Sequence, residues 1–173
     1  KGADMEQHSD YAALVEALYR QFADDVLRVS YFYLGDRPAA EDVTQEVFIR
    51  LQDRQPVLKE GSEKSWLLKV ALNICRDRWR SAWARRVILG SKKLEIIPAD
   101  DDAMEHRFEK EALMQAVHAL PAATREVFLL HYFQGQTIDQ IAEMLGAPPG
   151  TIASRLSRGR QRLKTMLEEE ESR

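Results

Sequence analysis

A single cysteine, Cys75, leaves no intramolecular disulfide framework to expect and suits a reducing cytoplasm. Glycine (8) and proline (6) are scarce among 173 residues, and runs of β-branched residues are few, so the predicted fold class is all-α. No apolar run approaches the roughly 20 residues that a membrane span needs. The start, Lys1-Gly2-Ala3-Asp4, carries no secretory apolar segment and reads as a cloning remnant, so the expected compartment is the cytoplasm. His8, His106, His118 and His131 have neither mutual ligand spacing nor companion cysteines, and no metal site is expected. A glycine-rich phosphate loop and a Ser/His/Asp constellation are also missing, which leaves no cofactor to predict. What is present is 45% hydrophobic and 31% charged residues, the make-up of a water-soluble chain of one medium or two small domains.

The formal net charge of −3 hides a segregated pattern. Arg76, Arg78, Arg80, Arg85, Arg86, Lys92 and Lys93 face only Asp77 in their stretch, and Arg155, Arg158, Arg160, Arg162 and Lys164 run without an acid. Acids gather instead at Asp100-Asp101-Asp102, onward to Glu111, and from Glu168 to Glu171. Two basic stripes with acidic spacers predict two separate DNA contacts, against the blander reading of solvated helix faces.

Apolar periodicity organises the chain into helices. Tyr11, Leu14, Val15, Leu18, Phe22, Val26, Val29 and Tyr33 predict one long helix ending near Gly35. Asp36 is placed to cap a second helix, buried through Val43, Val47 and Leu51 and polar through Glu41, Asp42, Gln45 and Glu46. Residues 52–61, with Pro56 and Gly61, read as a loop, and Ser62 as the cap of a third helix through Trp66, Leu67, Val70 and Ile74 to about Trp83. Residues 1–84 are therefore expected to form a first domain and 85–104 a flexible linker. Residues 105–173 form the second, where Pro121 opens a helix carrying Val127, Phe128 and Leu130 that closes at Gly135. Cys75 falls in the apolar pattern of the third helix, as a small core residue would.

The stretch from Thr137 to Leu156 is the most specific. Thr137 and Gln140 have the spacing of a capping box; Ile138, Ile141 and Leu145 form one apolar side, and Gly146 supplies the left-handed residue that ends the helix. Pro149 can open a second helix with Ile152, Leu156 and Leu163 inward, and small Ala142 permits close approach. This is a helix-turn-helix pattern, with Thr151, Ala153, Ser154, Arg155 and Arg158 able to reach a major groove and its flanking phosphates.

Three segments then resemble one family. Tyr33-Leu34-Gly35-Asp36 with Ala40 to Phe48 is similar to the core-binding segment of the extracytoplasmic-function (ECF) sigma factors of bacterial RNA polymerase, in the sigma-70 family. Trp66 to Asn73 resembles their −10-binding helix, and Leu120 to Leu130 followed by the helix-turn-helix ending Ser157-Arg158-Gly159-Arg160 resembles their −35-binding domain. The resemblance implies a sigma-2 and a sigma-4 domain with none between. It implies core RNA polymerase (its two largest subunits) and promoter DNA as partners, an anti-sigma factor as inhibitor, and a role in stress response. It also implies that the chain is not itself an enzyme, since the polymerase performs the chemistry. Membrane contact would come only through a membrane-bound anti-sigma factor.

Carried over residue by residue, the resemblance assigns core binding to Asp42, Gln45 and Glu46, with Phe48 and Ile49 as apolar neighbours. An acidic and amide cluster of this kind suits arginines on a partner. It assigns −10 DNA to Leu58, in the position of a base-reading loop, and to Lys64, Asn73, Arg76, Trp79 and Arg80. Capturing an unstacked base needs a pocket and stacking surfaces to offset a few kcal/mol. Arg78, Arg85 and Arg86 suit phosphates, and Trp66 the core. It assigns −35 DNA to Thr151, Ser154, Arg155 and Arg158. Two departures matter here. Ala153 stands where Arg or Lys is frequent, which leaves −35 base reading open, and Gly159 replaces a common Ala at about 1 kcal/mol of helix propensity. Asp100 to Asp102 are candidates for repelling or mimicking DNA. Two rivals remain: a dimeric helix-turn-helix repressor, which has no use for the stripe beside Trp66 to Arg80, and an inactive mimic that titrates an anti-sigma factor, which need not keep Asp42, Gln45, Glu46 or the arginines.

Overall fold

A computed structural model describes residues 2–89 and 104–172, and these are helical with short connections. In chain order the helices are α1 (Gly2–Leu34), α2 (Arg37–Arg54), α3 (Glu63–Leu89), α4 (Met104–Ala119), α5 (Ala122–Phe128), α6 (Ile138–Leu145) and α7 (Pro149–Glu171). The predicted third helix is longer than expected and runs beyond Trp83 to Leu89. Most of the expected linker, with Asp100 to Asp102, lies outside the described residues. No helix among the described residues is long and apolar enough to cross a membrane.

The first three helices form a bundle on a stripe that the sequence supplies. Val26, Val29 and Tyr33 from α1 meet Val43, Val47 and Leu51 from α2 and Leu67, Leu68, Ala71 and Leu72 from α3, all buried. Asp36 takes the extended backbone of an N-cap, but its side chain makes no capping bond; Pro38 in the first turn presets the helical backbone instead. The Ser62 hydroxyl likewise turns away from the expected cap and donates to the Lys59 carbonyl at 2.6 Å. Cys75 is fully buried, and burial pushes its thiol up to about 12.

The last four helices form the second bundle. Arg125, 3% exposed, ties its first turn together: its guanidinium donates to the carbonyls of Val117, His118 and Leu120 at 3.3, 2.7 and 2.9 Å. They lie at the C-terminal end of α4 and just past it; the Val117 carbonyl also accepts from the Leu120 N–H at 3.2 Å. Beyond Phe128, α5 widens into a π-helical turn over Leu129–Phe133 before Gly135, with φ +64°, reverses the chain. Thr137 and Gln140 form the capping box in both directions, at 2.9 and 3.1 Å. Gly146 takes the left-handed conformation that ends α6. Along α7, Ile152, Leu156, Gly159 and Leu163 make one buried stripe. At Gly159 a Cβ would stand 2.9 Å from Thr124 Cγ2, so the missing methyl lets α7 lie directly on α5. The propensity lost at this glycine has a packing counterpart.

The two bundles pack against each other, and buried apolar residues form one cluster across both. Phe32 of α1 stacks on Phe133 with ring centroids 4.3 Å apart. Around that contact, His118 meets the Phe32 carbonyl at 2.8 Å and Gln134 donates to the Asp25 carbonyl at 3.2 Å.

Candidate nucleic-acid and protein interfaces

Three surfaces carry the residues singled out from sequence. On α2, the burial of Ala40, Val43, Thr44, Val47, Phe48 and Leu51 leaves Asp42, Gln45, Glu46 and Ile49 along the opposite, outward side. Their spacing of three, four and seven residues makes a single stripe. Two arginines hold its acids. Arg50 lies 2.6 Å from Glu46, and Arg78 reaches from α3 to Asp42 and Glu46 at 3.7 and 3.5 Å. Arg78, expected to meet phosphates, is thus spent on the acidic stripe. Ile49 is 57% exposed and supplies an apolar neighbour. Phe48 does not: at 6% exposure it sits edge-on to Tyr19, ring centroids 4.9 Å apart, because it falls on the buried side of α2.

The second surface joins the loop 55–62 to α3. Gln55 adopts a left-handed backbone (φ 44°) to end α2, and Tyr11 donates its hydroxyl to the Pro56 carbonyl at 3.0 Å. These anchors fix the loop. Leu58, expected as its apolar wall, turns inward and packs against the core. Val57, one residue earlier, is fully exposed at 102% and takes the outward place. Asn73 and Arg80 are exposed on α3, and Asn73 accepts a bond from Arg76 at 3.2 Å. Lys64 leans back toward Asp25 and the Gln134 carbonyl, at 3.9 and 3.4 Å.

Arg76 and Trp79 have a different setting from the one expected. Arg76 donates through Nε and Nη2 to both carboxylate oxygens of Glu126, at 2.9 and 2.8 Å. This bidentate bond raises the Arg76 pKa further. Tyr33 adds its hydroxyl to the same carboxylate at 3.3 Å, and burial with the nearby Glu126 charge pushes the phenol up to about 12. Trp79 packs edge-on against Tyr33 and beneath the Arg125 guanidinium, which stands 4.4 Å from the ring centre. Burial lowers the Arg125 pKa from its usual value.

The third surface is the outer side of α7. With the buried stripe facing α5 and α6, Ala153, Ser154 and Arg158 point outward; Thr151 and Arg155 are half-buried at the margin. Arg158 bonds back to the Ser154 carbonyl at 3.4 Å, so it is folded along the helix. Arg160 donates to the Tyr132 hydroxyl at 2.8 Å beside an apolar groove lined by Leu113, Phe128, Leu163 and Leu167. Among the described residues, no three His, Cys, Asp or Glu side chains gather as metal ligands would.

The Sigma-70 region 2 family model matches residues 18–85, and the Sigma-70 region 4 model matches residues 110–163. ECF RNA polymerase sigma factor SigL of Mycobacterium tuberculosis is 33% identical over 162 residues, covering 91% of each chain. The chain is an ECF sigma factor. ECF RNA polymerase sigma factor SigE of Mycolicibacterium smegmatis is 31% identical over 156 residues. That match covers 88% of the present sigma factor but only 61% of its relative. The fold agrees with two solved structures. The sigma factor RpoE from Bartonella quintana, in complex with the anti-sigma factor NepR, superposes with a TM-score of 0.73 at 23% identity, over 88% of this chain and 96% of that one. CnrH, in complex with the cytosolic domain of CnrY, gives 0.71 at 18%, over 95% and 94%. Region 2 of the sigma factor thus contains the α2 stripe, the loop and α3 up to Arg85. Region 4 contains Arg125, Glu126 and the helix-turn-helix.

The sequence reading did not anticipate the outward side chain of Val57 or the buried charges of Arg125 and Glu126. Arg125 and Glu126 stood within a quoted motif, yet nothing in apolar periodicity marks a buried charge. Phe48 could have been placed correctly, since it lies one residue beyond Val47 on the same inner stripe.

Proposed function

We propose that this sigma factor binds core RNA polymerase in the cytoplasm and directs promoter-specific initiation, with its surfaces dividing the work. The observation that carries this reading is that both DNA-binding regions of the family occur in order on one chain, with the α2 stripe beside the first. Asp42, Gln45, Glu46 and Ile49 take the polymerase: carboxylates already ordered by Arg50 and Arg78 meet partner arginines with little loss of side-chain freedom, and Ile49 adds apolar area. Asn73, Arg76, Trp79 and Arg80 take the opened −10 strand, with Val57 rather than Leu58 as the apolar wall at the loop. Asn73 has donor and acceptor for a base edge, Trp79 a face for stacking, and the arginines forks for phosphates. Ser154, Arg155 and Arg158 hold the −35 duplex, with Ala153 contributing at most a small apolar contact.

An anti-sigma factor completes the assignment, the kind of partner with which RpoE of Bartonella quintana was solved. The exposed Tyr19 and Ile49 on region 2 and Tyr132 on region 4 offer it apolar attachment. The dimeric-repressor alternative leaves the α2 stripe and α3 without a role.

Reconstituted initiation separates the three assignments. Glu46→Lys should abolish retention on core polymerase, Asn73→Ala should spare retention but lower open-complex formation, and Arg158→Ala should weaken promoter-duplex binding before melting. If all three variants fail at the same step, the division of labour is wrong.

A further inference from the structure

Tyr11 has no place among the residues assigned to DNA or polymerase, yet it reaches from α1 to the loop 55–62. Its hydroxyl donates to the Pro56 carbonyl at 3.0 Å, across 45 positions of sequence. Its ring packs against the same core as Leu58. Burial raises the phenol above its ordinary 10.0, so it stays a donor through the neutral range. One turn earlier on the same side of α1, His8 Nδ1 stands 3.4 Å from Gln55 Nε2.

The bond from Tyr11 falls where it can direct Val57. Proline has no N–H, so its carbonyl is the one main-chain polar group through which residue 56 can be held. The Pro56 carbonyl and the Val57 N–H share one peptide plane, and fixing the carbonyl fixes that plane. On the other side of Val57, Leu58 is held by the core. Val57 therefore stands between two fixed neighbours, although its own side chain is fully exposed and gains nothing from packing. Gln55 has a left-handed backbone (φ 44°) directly before a proline, a combination that the following ring disfavours. A backbone of this kind persists only where its surroundings impose it. The Gln55 N–H bond to the Leu51 carbonyl, at 3.0 Å, imposes it from one side, and Tyr11 from the other.

We propose that Tyr11 is a positioning residue for −10 recognition: without touching DNA, its hydroxyl sets the direction of Val57 and so the bases that the loop accepts. This rests on the reading of Val57 as the apolar wall of the −10 site. A loop held in one conformation before DNA arrives loses little freedom on binding, and it does not re-form around a wrong base. Freed from Tyr11, the same loop would sample several directions of Val57, losing affinity for the right base and gaining tolerance for wrong ones.

Tyr11→Phe tests this, because it keeps the ring and removes only the hydroxyl. In the holoenzyme formed with core polymerase, transcription is compared between a promoter mapped with this protein and versions of it changed at single positions of the −10 or −35 element. At the −10 position whose selection Val57→Ser alters, discrimination should fall about fivefold in Tyr11→Phe, the factor that the net worth of one hydrogen bond allows. Discrimination at −35 and retention on polymerase should stay as they are. Val15→Ala removes packing from the same side of α1, and should lower Tm while keeping the −10 discrimination of the wild type. A nitroxide at Glu60→Cys, exposed while Cys75 is buried, reports the loop in the free chain, and its spectrum should sharpen in Tyr11→Phe. An unchanged spectrum would overturn the positioning role, as would an equal loss of discrimination in Val15→Ala. Unchanged −10 discrimination in Tyr11→Phe beside a clear effect of Val57→Ser would overturn it too, and would leave the reading of the loop standing. Should Val57→Ser itself leave −10 selection intact, that reading falls and the role of Tyr11 with it.

Discussion

Replacing Gly159 by Ala puts the packing of the recognition helix to a quantitative test. In a free helix the change gains about 1 kcal/mol. Here the new Cβ would stand 2.9 Å from Thr124 Cγ2 and 3.8 Å from Phe128 Cδ2. Carbon atoms prefer about 3.5–4.0 Å, and a threonine methyl on a helix has few alternative rotamers to escape into. Overpacking of this kind costs about 1–3 kcal/mol. The two effects leave Gly159→Ala destabilising by about 0–2 kcal/mol. Thr124→Ser removes only the offending methyl, and in that background the same glycine change should stabilise by about 1 kcal/mol. The prediction is therefore a coupling of about 1–3 kcal/mol between the two sites, within the range for residues in contact. Urea denaturation of the wild type, both single variants and the double variant measures it. If Gly159→Ala stabilises equally in both backgrounds, α7 does not lie on α5 as described.

Four further outcomes follow from the geometry. Arg125→Ala takes the guanidinium donor from the His118 and Leu120 carbonyls and should cost about 3 kcal/mol, lowering Tm by roughly 6–12 °C in a calorimetric scan. Tyr33 and Cys75 are held protonated in the fold, each up to about 12 against ordinary values of 10.0 and 9.0. Because folding raises both, their contribution is complete below pH 9 and is lost as pH climbs from 9 to 12, so the urea midpoint should fall between pH 8 and 10.5. For the same reason Cys75 should not react with a disulfide reagent at pH 8 until denaturant is added. Ile49→Glu should weaken binding to core polymerase at least tenfold, measured by competition against the wild type, without changing Tm, since that side chain is more than half exposed.

The helices and the helix-turn-helix were legible because their signals are local. The capping box at Thr137 and Gln140, the turn at Gly146 and the inward set Ile152, Leu156 and Leu163 each follow from a few neighbouring residues. The all-α fold and the family followed from the same kind of reading. What stayed hidden depends on distance along the chain. Arg76 and Glu126 are 50 positions apart, and Gln134 and the Asp25 carbonyl 109 apart, so no period or cap announces either pairing. Loop residues have no periodicity, so nothing in the sequence announces that Leu58 turns inward while Val57 faces outward. The π-helical turn after Phe128 gave no signal either, since its residues are as apolar as an ordinary helix would require. The charge stripes, read as candidate DNA contacts, could not show that Arg78 and Arg76 already hold carboxylates within the chain.

The central claim is that this chain gives a polymerase its choice of promoter. Purified core polymerase, transcribing a library of bacterial promoter fragments with and without the protein, tests it most directly. The account predicts defined transcripts that appear only with the protein and start at a common distance downstream of a shared −10 sequence. Binding to core polymerase with no specific transcript would contradict it and would mark the chain as a mimic that occupies the partners of a true sigma factor.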